Sequence, residues 1–126
     1  MQKVLIIDDD RAFLRFIESY VRKHFPALEV FTCADPVCGL GKISSDLALL
    51  LVDLEMPGLD GKKILAYATG KGLSKKRIII LSGRDADYLH EHFPMGSCLA
   101  VLNKHEAKQK AVLDMIFKAL EKKSGR

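Results

Sequence analysis

The side chains in this sequence that could do chemistry follow short apolar runs. Each of four polar features ends such a run: Asp8, Asp9 and Asp10 after residues 4–7, Asp53 after 47–52, Ser82 after 78–81, and Lys104 just beyond 99–102. If the runs are parallel strands, their carboxyl ends meet at one edge of one sheet. Carboxylates, a hydroxyl and an ammonium group would then converge on a small volume.

Three of these acids, Asp8, Asp9 and Asp53, predict a metal site. Like charges at close range repel and raise one another's pKa unless a cation compensates them. A hard divalent cation with oxygen ligands, for which Mg²⁺ is the first choice, resolves that repulsion. Lys104 would supply a further positive charge from the fifth strand.

The pattern of apolar residues predicts the elements that hold these groups. Five apolar runs alternate with helix-length segments: 4–7, 28–32, 47–52, 78–81 and 99–102. Apolar residues recur at helical spacing in two of the segments: Phe13, Phe16, Ile17, Tyr20 and Val21, and Val112, Met115, Ile116, Ala119 and Leu120. Asp10, Asp35 and Asp60 precede helical segments and are expected to act as N-caps. The alternation predicts an α/β fold, a doubly wound (βα)5 parallel sheet with helices on both faces.

Length and composition indicate one domain. The chain has 126 residues, and its 48% hydrophobic content is enough for a core of its own. Residues 1–122 form the predicted domain, and residues 123–126 a polar tail or the start of a linker. No apolar run approaches the roughly 20 residues that cross a membrane, and the N-terminus lacks a signal-peptide pattern. We therefore expect a cytoplasmic protein with no membrane contact.

Charge and cysteine content argue against two further classes of function. The net charge of +4 is spread over the predicted helix faces, without a nucleic-acid motif or interleaved aromatic residues. No direct nucleic-acid binding is therefore predicted for this domain. Cys33, Cys38 and Cys98 have neither metal-ligand nor redox spacing, and we expect simple thiols in a reducing compartment.

In this order and at these strand ends, the polar features resemble the receiver domain of two-component response regulators. The resemblance covers nearly the whole chain, and five segments carry it: Asp8-Asp9, Asp53 with Met56-Pro57-Gly58, Asp60-Gly61, Ser82-Gly83 and Lys104. It implies a flavodoxin-like three-layer sandwich whose parallel sheet has the strand order 2-1-3-4-5. It also implies a phosphorelay protein rather than an enzyme. A sensor histidine kinase or phosphotransfer protein would phosphorylate it and so change its interactions with a partner or output domain.

The resemblance further implies a role for each site residue. Asp53 would be the phosphoacceptor, attacking the phosphoryl group of a phosphohistidine. Ser82, Gly83 and Lys104 would bind the phosphoryl group and act as the switch. Mg²⁺ would be held by Asp9, Asp53 and the backbone carbonyl of Glu55, with Asp8 acting mainly through water.

Four positions around the site modify this expectation. Val101 stands where many receivers carry a switching aromatic residue, so we expect a smaller structural change on that side of the domain. His105 replaces the proline that commonly follows the lysine, and a cis bond there is not expected. Glu55 and Arg84 flank the phosphoryl site, where we expect them to pair, hinder water and slow dephosphorylation.

Two other functions are compatible with the sequence. A phosphorylation-independent pseudo-receiver would act only as an interaction domain, and Val101 and His105 favour it. A phosphatase of the haloacid-dehalogenase type would also use an Asp nucleophile with Mg²⁺, although Glu55 stands where such enzymes place a second Asp. If the chain is a fragment, an output domain is expected, for which a DNA-binding domain is the first candidate. A homodimer is also compatible with the sequence.

Overall fold

The computed structural model describes residues 2–58, 60–107 and 110–124. Within these residues, five strands form one parallel sheet. The strands are β1 (Gln2–Ile7), β2 (Leu28–Cys33), β3 (Leu47–Asp53), β4 (Ile78–Ser82) and β5 (Ala100–Asn103). Their order is β2-β1-β3-β4-β5, and every neighbouring pair is parallel. The predicted doubly wound fold with strand order 2-1-3-4-5 is confirmed.

Six helices and one short 3₁₀ turn lie between and after the strands in the described residues. The helices are α1 (Arg11–His24), α2 (Pro36–Lys42), α3 (Gly61–Gly70), α4 (Ala86–His92), α5 (Lys104–Ala107) and α6 (Lys110–Ser124), and the turn is Lys75–Arg77. The last helix continues to Ser124, two residues into the segment expected to be a tail, while residues 125–126 lie outside the described part of the chain. None of the helices described here is long and apolar enough to cross a lipid bilayer.

Helices cover both faces of the sheet, as the three-layer prediction requires. Strands β1, β3 and β4 are buried at nearly every position, because a strand covered on both faces has no side in contact with water. On one face, Ile17 of α1 and Phe117 of α6 belong to the buried core. On the other face, Ile64 of α3 and Leu89 of α4 belong to a second core.

Aspartates cap the beginnings of four helices and fix where the loops after the strands end. Each capping carboxylate accepts a hydrogen bond from a backbone N–H in the first helical turn: Asp10 for α1, Asp35 for α2, Asp60 for α3 and Asp85 for α4. The three predicted caps are confirmed, and each such cap contributes about 1 kcal/mol to helix stability. Because Asp10 begins α1, Asp8 and Asp9 are confined to a short loop directly after β1.

A glycine allows α2 to lie directly on β1. A Cβ added at Gly39 would stand 2.5 Å from Cδ1 of Ile7, and the Cγ1 and Cγ2 atoms of that side chain would also lie within 3.0 Å of it. Ile7 is buried and β-branched, so it has little freedom to move aside. Gly41 lies in the same helix, and a Cβ there would meet nothing within 4 Å.

These two glycines give a matched test of the packing. We expect Gly39→Ala to destabilise the protein by about 1–3 kcal/mol, because the added carbon overpacks the core. Gly41→Ala should instead stabilise it by roughly 0.5–1 kcal/mol, because alanine favours the helix and nothing obstructs it. Urea unfolding of both variants measures the difference. Equal free energies of unfolding for the two variants would show that α2 does not approach β1 as described.

Candidate functional site

Asp53 lies at the centre of the site because the sheet holds it there. It is the last residue of β3, the middle strand, and its side chain is fully buried. Its partner across the ladder in β4 is Leu81, and the next amide, Leu54 N–H, donates to the Leu81 carbonyl at 2.9 Å. The backbone on both sides of Asp53 is therefore fixed by sheet hydrogen bonds.

Both carboxylate oxygens of Asp53 have a positively polarised partner. The Nζ of Lys104 lies 2.8 Å from Oδ2, and the backbone N–H of Glu55 donates to Oδ1 at 2.8 Å. Partial burial alone would lower the pKa of Lys104. The hydrogen bond and charge of Asp53, with the charges of Asp8 and Asp9, raise that pKa above its ordinary value of 10.5. Lys104 therefore stays protonated throughout the neutral pH range.

Asp8 and Asp9 join Asp53 at the carboxyl edge of the sheet. One carboxylate oxygen from each of the three residues lies within 4.8 Å of the other two. Asp8 is fully buried, whereas Asp9 is exposed to solvent. The loop that holds them is anchored by the Asp8 N–H, which donates to the Cys33 carbonyl at 3.1 Å, and by the Asp10 N–H, which donates to Oδ1 of Asp8 at 2.9 Å.

The donor set of this acidic cluster fits a hard divalent cation. Three carboxylates converge, two of them buried, and the ammonium group of Lys104 contacts one of them, that of Asp53. Oxygen ligands of this kind suit Mg²⁺, whose small radius and double charge favour carboxylates over nitrogen or sulfur ligands. The acidic cluster could therefore hold such an ion, with its exposed side at Asp9.

Ser82 and Gly83 line the site from the end of β4. Ser82 is 2% exposed, and its Oγ accepts a hydrogen bond from the Arg84 N–H at 3.1 Å. The N–H of Gly83 donates to the Glu55 carboxylate, which occupies the space in front of Gly83. A Cβ at Gly83 would stand 2.7 Å from Oε1 of Glu55, so the absence of a side chain permits this contact.

The expected ion pair between Glu55 and Arg84 does not form. Glu55 accepts from Gly83, while the guanidinium carbon of Arg84 lies 3.7 Å from the centre of the Tyr88 ring. Tyr88 in turn stacks on His92 with 3.9 Å between the ring centres. The aromatic face on α4 offers Arg84 a cation–π partner, and this interaction turns the guanidinium away from the acid.

Val101 and His105 occupy the side of the site formed by β5 and α5. Val101 pairs with Ile80 of β4 and is half-buried beside a cleft of about 520 Å³ between α4 and β5. His105 is the second residue of α5, and its N–H donates to the Asn103 side chain at 3.0 Å. The peptide before His105 is trans, as expected for a residue that is not proline. The smaller change expected from Val101 stays a prediction.

Two contacts near the site were not indicated by the sequence. One is the hydrogen bond between Gly83 and Glu55. The other joins Cys33, the buried last residue of β2, to Cys38 of α2, whose Sγ atoms are 2.9 Å apart. Burial, together with the Cys38 thiol, raises the pKa of Cys33 to about 11. The only sequence signal for this contact is that Asp35-Pro36 turns the chain sharply between the two cysteines.

Comparison with known proteins identifies relatives over this whole arrangement. The family model "Response regulator receiver domain" matches residues 4–123. A protein-glutamate methylesterase/protein-glutamine glutaminase of Koribacter versatilis is 34% identical over 95 residues, which is 72% of this chain and 25% of that protein. A glycerol metabolism activator of Pseudomonas putida is 40% identical over 63 residues, 48% of this chain and 28% of that protein. The chain thus spans about a quarter of the length of these curated relatives.

Solved structures share the fold. A receiver domain protein from Clostridium thermocellum superposes with a TM-score of 0.74 at 20% identity, covering 99% of this chain and 98% of its own. A receiver domain protein from Methanospirillum hungatei gives 0.73 at 23% identity, covering 99% and 97%. A response regulator of Thermotoga maritima, in complex with Mg²⁺ and BeF, gives 0.68 at 18% identity, covering 97% and 98%. The shared fold agrees with the polar residues found at the strand ends. Because the family model also matches residues 4–123, the chain belongs to the response regulator receiver domain family of two-component signalling.

Proposed function

We propose that this domain accepts a phosphoryl group on Asp53 from the phosphohistidine of a sensor histidine kinase or phosphotransfer protein. The observation that carries the proposal is the contact between Lys104 and the fully buried Asp53 carboxylate, 2.8 Å apart, beside two further acids. An apolar residue would pack better than a carboxylate at this buried strand end. A buried carboxylate there, with a cation on one oxygen, is therefore suited to chemistry rather than to packing.

The transfer exchanges one bond for another at phosphorus. An oxygen of Asp53 forms the new O–P bond while the N–P bond of the donor's phosphohistidine breaks. The electron pair of the broken bond stays on the imidazole nitrogen. Lys104 offsets negative charge on the phosphoryl oxygens as a point charge and so stabilises the transferred group on the acceptor.

A bound Mg²⁺ would neutralise charge on the transferred group and on the acids around it. We propose that the three acids of the cluster, Asp8, Asp9 and Asp53, would hold it. The backbone carbonyl of Glu55 is the fourth group that we propose. The buried Asp8 carboxylate is held by its own loop, since its Oδ1 accepts the Asp10 N–H. Asp9 is exposed and gives the ion a route from solvent.

Phosphorylation has to displace the Glu55 carboxylate from Gly83. The Gly83 N–H and the Ser82 hydroxyl are the donors beside Asp53 that would bind phosphoryl oxygens, and Glu55 now accepts from the first of them. Glu55 is exposed, so its side chain can move away without opening the core. When Glu55 moves away, Ser82 and Lys104 would close on the phosphoryl group. This movement would shift the loops after β4 and β5, and the shifted loops are the signal to a partner.

The proposed acceptor is tested by intact mass after incubation with acetyl phosphate. We expect one phosphoryl adduct that requires Mg²⁺ and is absent from Asp53→Asn, because the amide is not a nucleophile for phosphorus. Asp87→Asn is the matched control: it removes the same charge from an exposed position on α4 and should be phosphorylated like the wild type.

An adduct that persists in Asp53→Asn would overturn the assignment of the acceptor. If the wild type takes no phosphoryl group from acetyl phosphate or a phosphorylated histidine kinase, and does not bind beryllofluoride, the domain acts without phosphorylation. Continuous release of phosphate from a phosphate ester would instead favour the phosphatase function.

The role of Glu55 is tested by removing its charge while keeping its size. We expect Glu55→Gln to bind beryllofluoride with Mg²⁺ more tightly, by roughly fivefold. A negative charge about 4 Å from the incoming group costs ~1 kcal/mol in a water-like medium. Titration followed by NMR measures the affinity.

Glu29→Gln on β2 is the control, since it removes one negative charge from an exposed position at the far edge of the sheet. It should leave the affinity unchanged. Equal or weaker binding by Glu55→Gln would contradict the displacement of Glu55 by the phosphoryl group.

A further inference from the structure

Cys33 and Cys38 form a close pair of thiols beside the acidic cluster. Their Sγ atoms are 2.9 Å apart, and both cysteines are free. A disulfide bond is about 2.05 Å long, so the sulfurs need to approach by only about 0.9 Å to become bonded. The third cysteine, Cys98, lies away from this pair and directs its thiol to the Ala100 carbonyl at 3.3 Å.

The two thiols differ in their access to solvent. Cys33 is 2% exposed in the core under α2, whereas Cys38 is exposed on the surface of that helix. A dissolved oxidant can therefore reach Cys38 directly but not Cys33. One accessible thiol with a buried thiol in contact behind it is the arrangement in which a first oxidation product is resolved within the protein.

We propose that Cys33 and Cys38 form a reversible disulfide when the protein meets a small-molecule disulfide of the glutathione type. The Cys38 thiolate attacks one sulfur of the oxidant, whose S–S bond breaks and releases one thiolate. The Cys33 thiol then loses its proton and attacks Sγ of Cys38, which releases the second thiolate. The protein loses two electrons and two protons, and one small disulfide becomes two thiols.

This disulfide would lie one hydrogen bond from the acidic cluster. The Cys33 carbonyl accepts the Asp8 N–H at 3.1 Å. On the other side, Gly39 follows Cys38 in the chain and packs on Ile7, the residue before Asp8. Bonding of the two sulfurs therefore acts on the Asp8 loop through two contacts, the hydrogen bond to the Cys33 carbonyl and the packing of Gly39 on Ile7. The disulfide itself does not depend on the function proposed above; only the importance of its connection to the Asp8 loop rests on that function.

The disulfide is tested by oxidised glutathione followed by alkylation and tryptic mass mapping without reductant. Cys33 and Cys38 lie in one tryptic peptide, 24–42, and Cys98 lies in another, 85–104. We expect peptide 24–42 to be lighter by two hydrogens and to carry no alkyl group, while Cys98 is alkylated. Dithiothreitol should restore alkylation of peptide 24–42.

Two variants separate the pair from the general reactivity of thiols. Cys38→Ser changes an exposed position and should abolish the intrapeptide disulfide, whereas Cys98→Ser should keep it. Stable glutathione adducts on Cys38 with Cys33 still reduced would overturn the proposal, as would full alkylation of peptide 24–42 after oxidation.

The connection to Asp8 has its own readout in ¹⁵N-labelled protein. On oxidation we expect the Asp8 amide resonance to shift, while that of Asp60, at the start of α3, stays in position. An unmoved Asp8 resonance in the oxidised protein would overturn the connection. Phosphorylation of Asp53 in Cys38→Ser should match the wild type, so failure of the disulfide and failure of phosphorylation are distinguished.

Discussion

Mutual repulsion among three carboxylates is the constraint on which this site depends. Asp8 and Asp53 are fully buried beside Asp9, and the ammonium group of Lys104 offsets part of their charge. Burying such groups costs more than their pairing returns, so the cluster does not stabilise the fold by itself. The raised pKa of Lys104 means that its contribution to stability is full below pH 10.5 and is lost as the pH rises through the higher folded-state value. The apolar cores on both faces of the sheet have to offset the cost of the cluster.

The sheet order determines which side chains can meet at this cluster. Strands β1 and β3 are neighbours, which brings Asp8 and Asp53 together, whereas β5 is separated from β3 by β4. Two strand spacings amount to about 10 Å, so only a long side chain reaches from the end of β5 to Asp53. A lysine one residue beyond β5 meets that requirement, since its ammonium lies 2.8 Å from the carboxylate. Ser82 ends β4, which is adjacent to β3, so a residue at that position needs no long side chain to lie beside the cluster.

The sequence predicted what depends on periodicity and on strand ends, and it failed for contacts that depend on side-chain direction. The apolar runs and capping aspartates led to the alternating parallel fold, because the sheet geometry leaves few alternatives. The resemblance to receiver domains supplied the strand order that brings Asp8 and Asp53 together. Glu55 was expected to pair with Arg84, whereas the structure places Arg84 on the Tyr88 ring and Glu55 on Gly83. That choice depends on side-chain rotamers, which spacing in the sequence does not encode. The contact of Cys33 with Cys38 was missed for the same reason, because it depends on how tightly the chain turns between β2 and α2.

We propose that the acidic cluster is held together against its own repulsion in order to bind a cation. The most direct measurement is the free energy of urea unfolding of the wild type and of Asp9→Asn, each with and without Mg²⁺. Asp9 is exposed, so the substitution leaves the core intact while it removes one charge from the cluster. Without Mg²⁺ the variant should be the more stable protein, and with Mg²⁺ the wild type should gain stability through binding while the variant gains much less. Equal stabilisation of both proteins by Mg²⁺, or a less stable Asp9→Asn in its absence, would contradict this proposal.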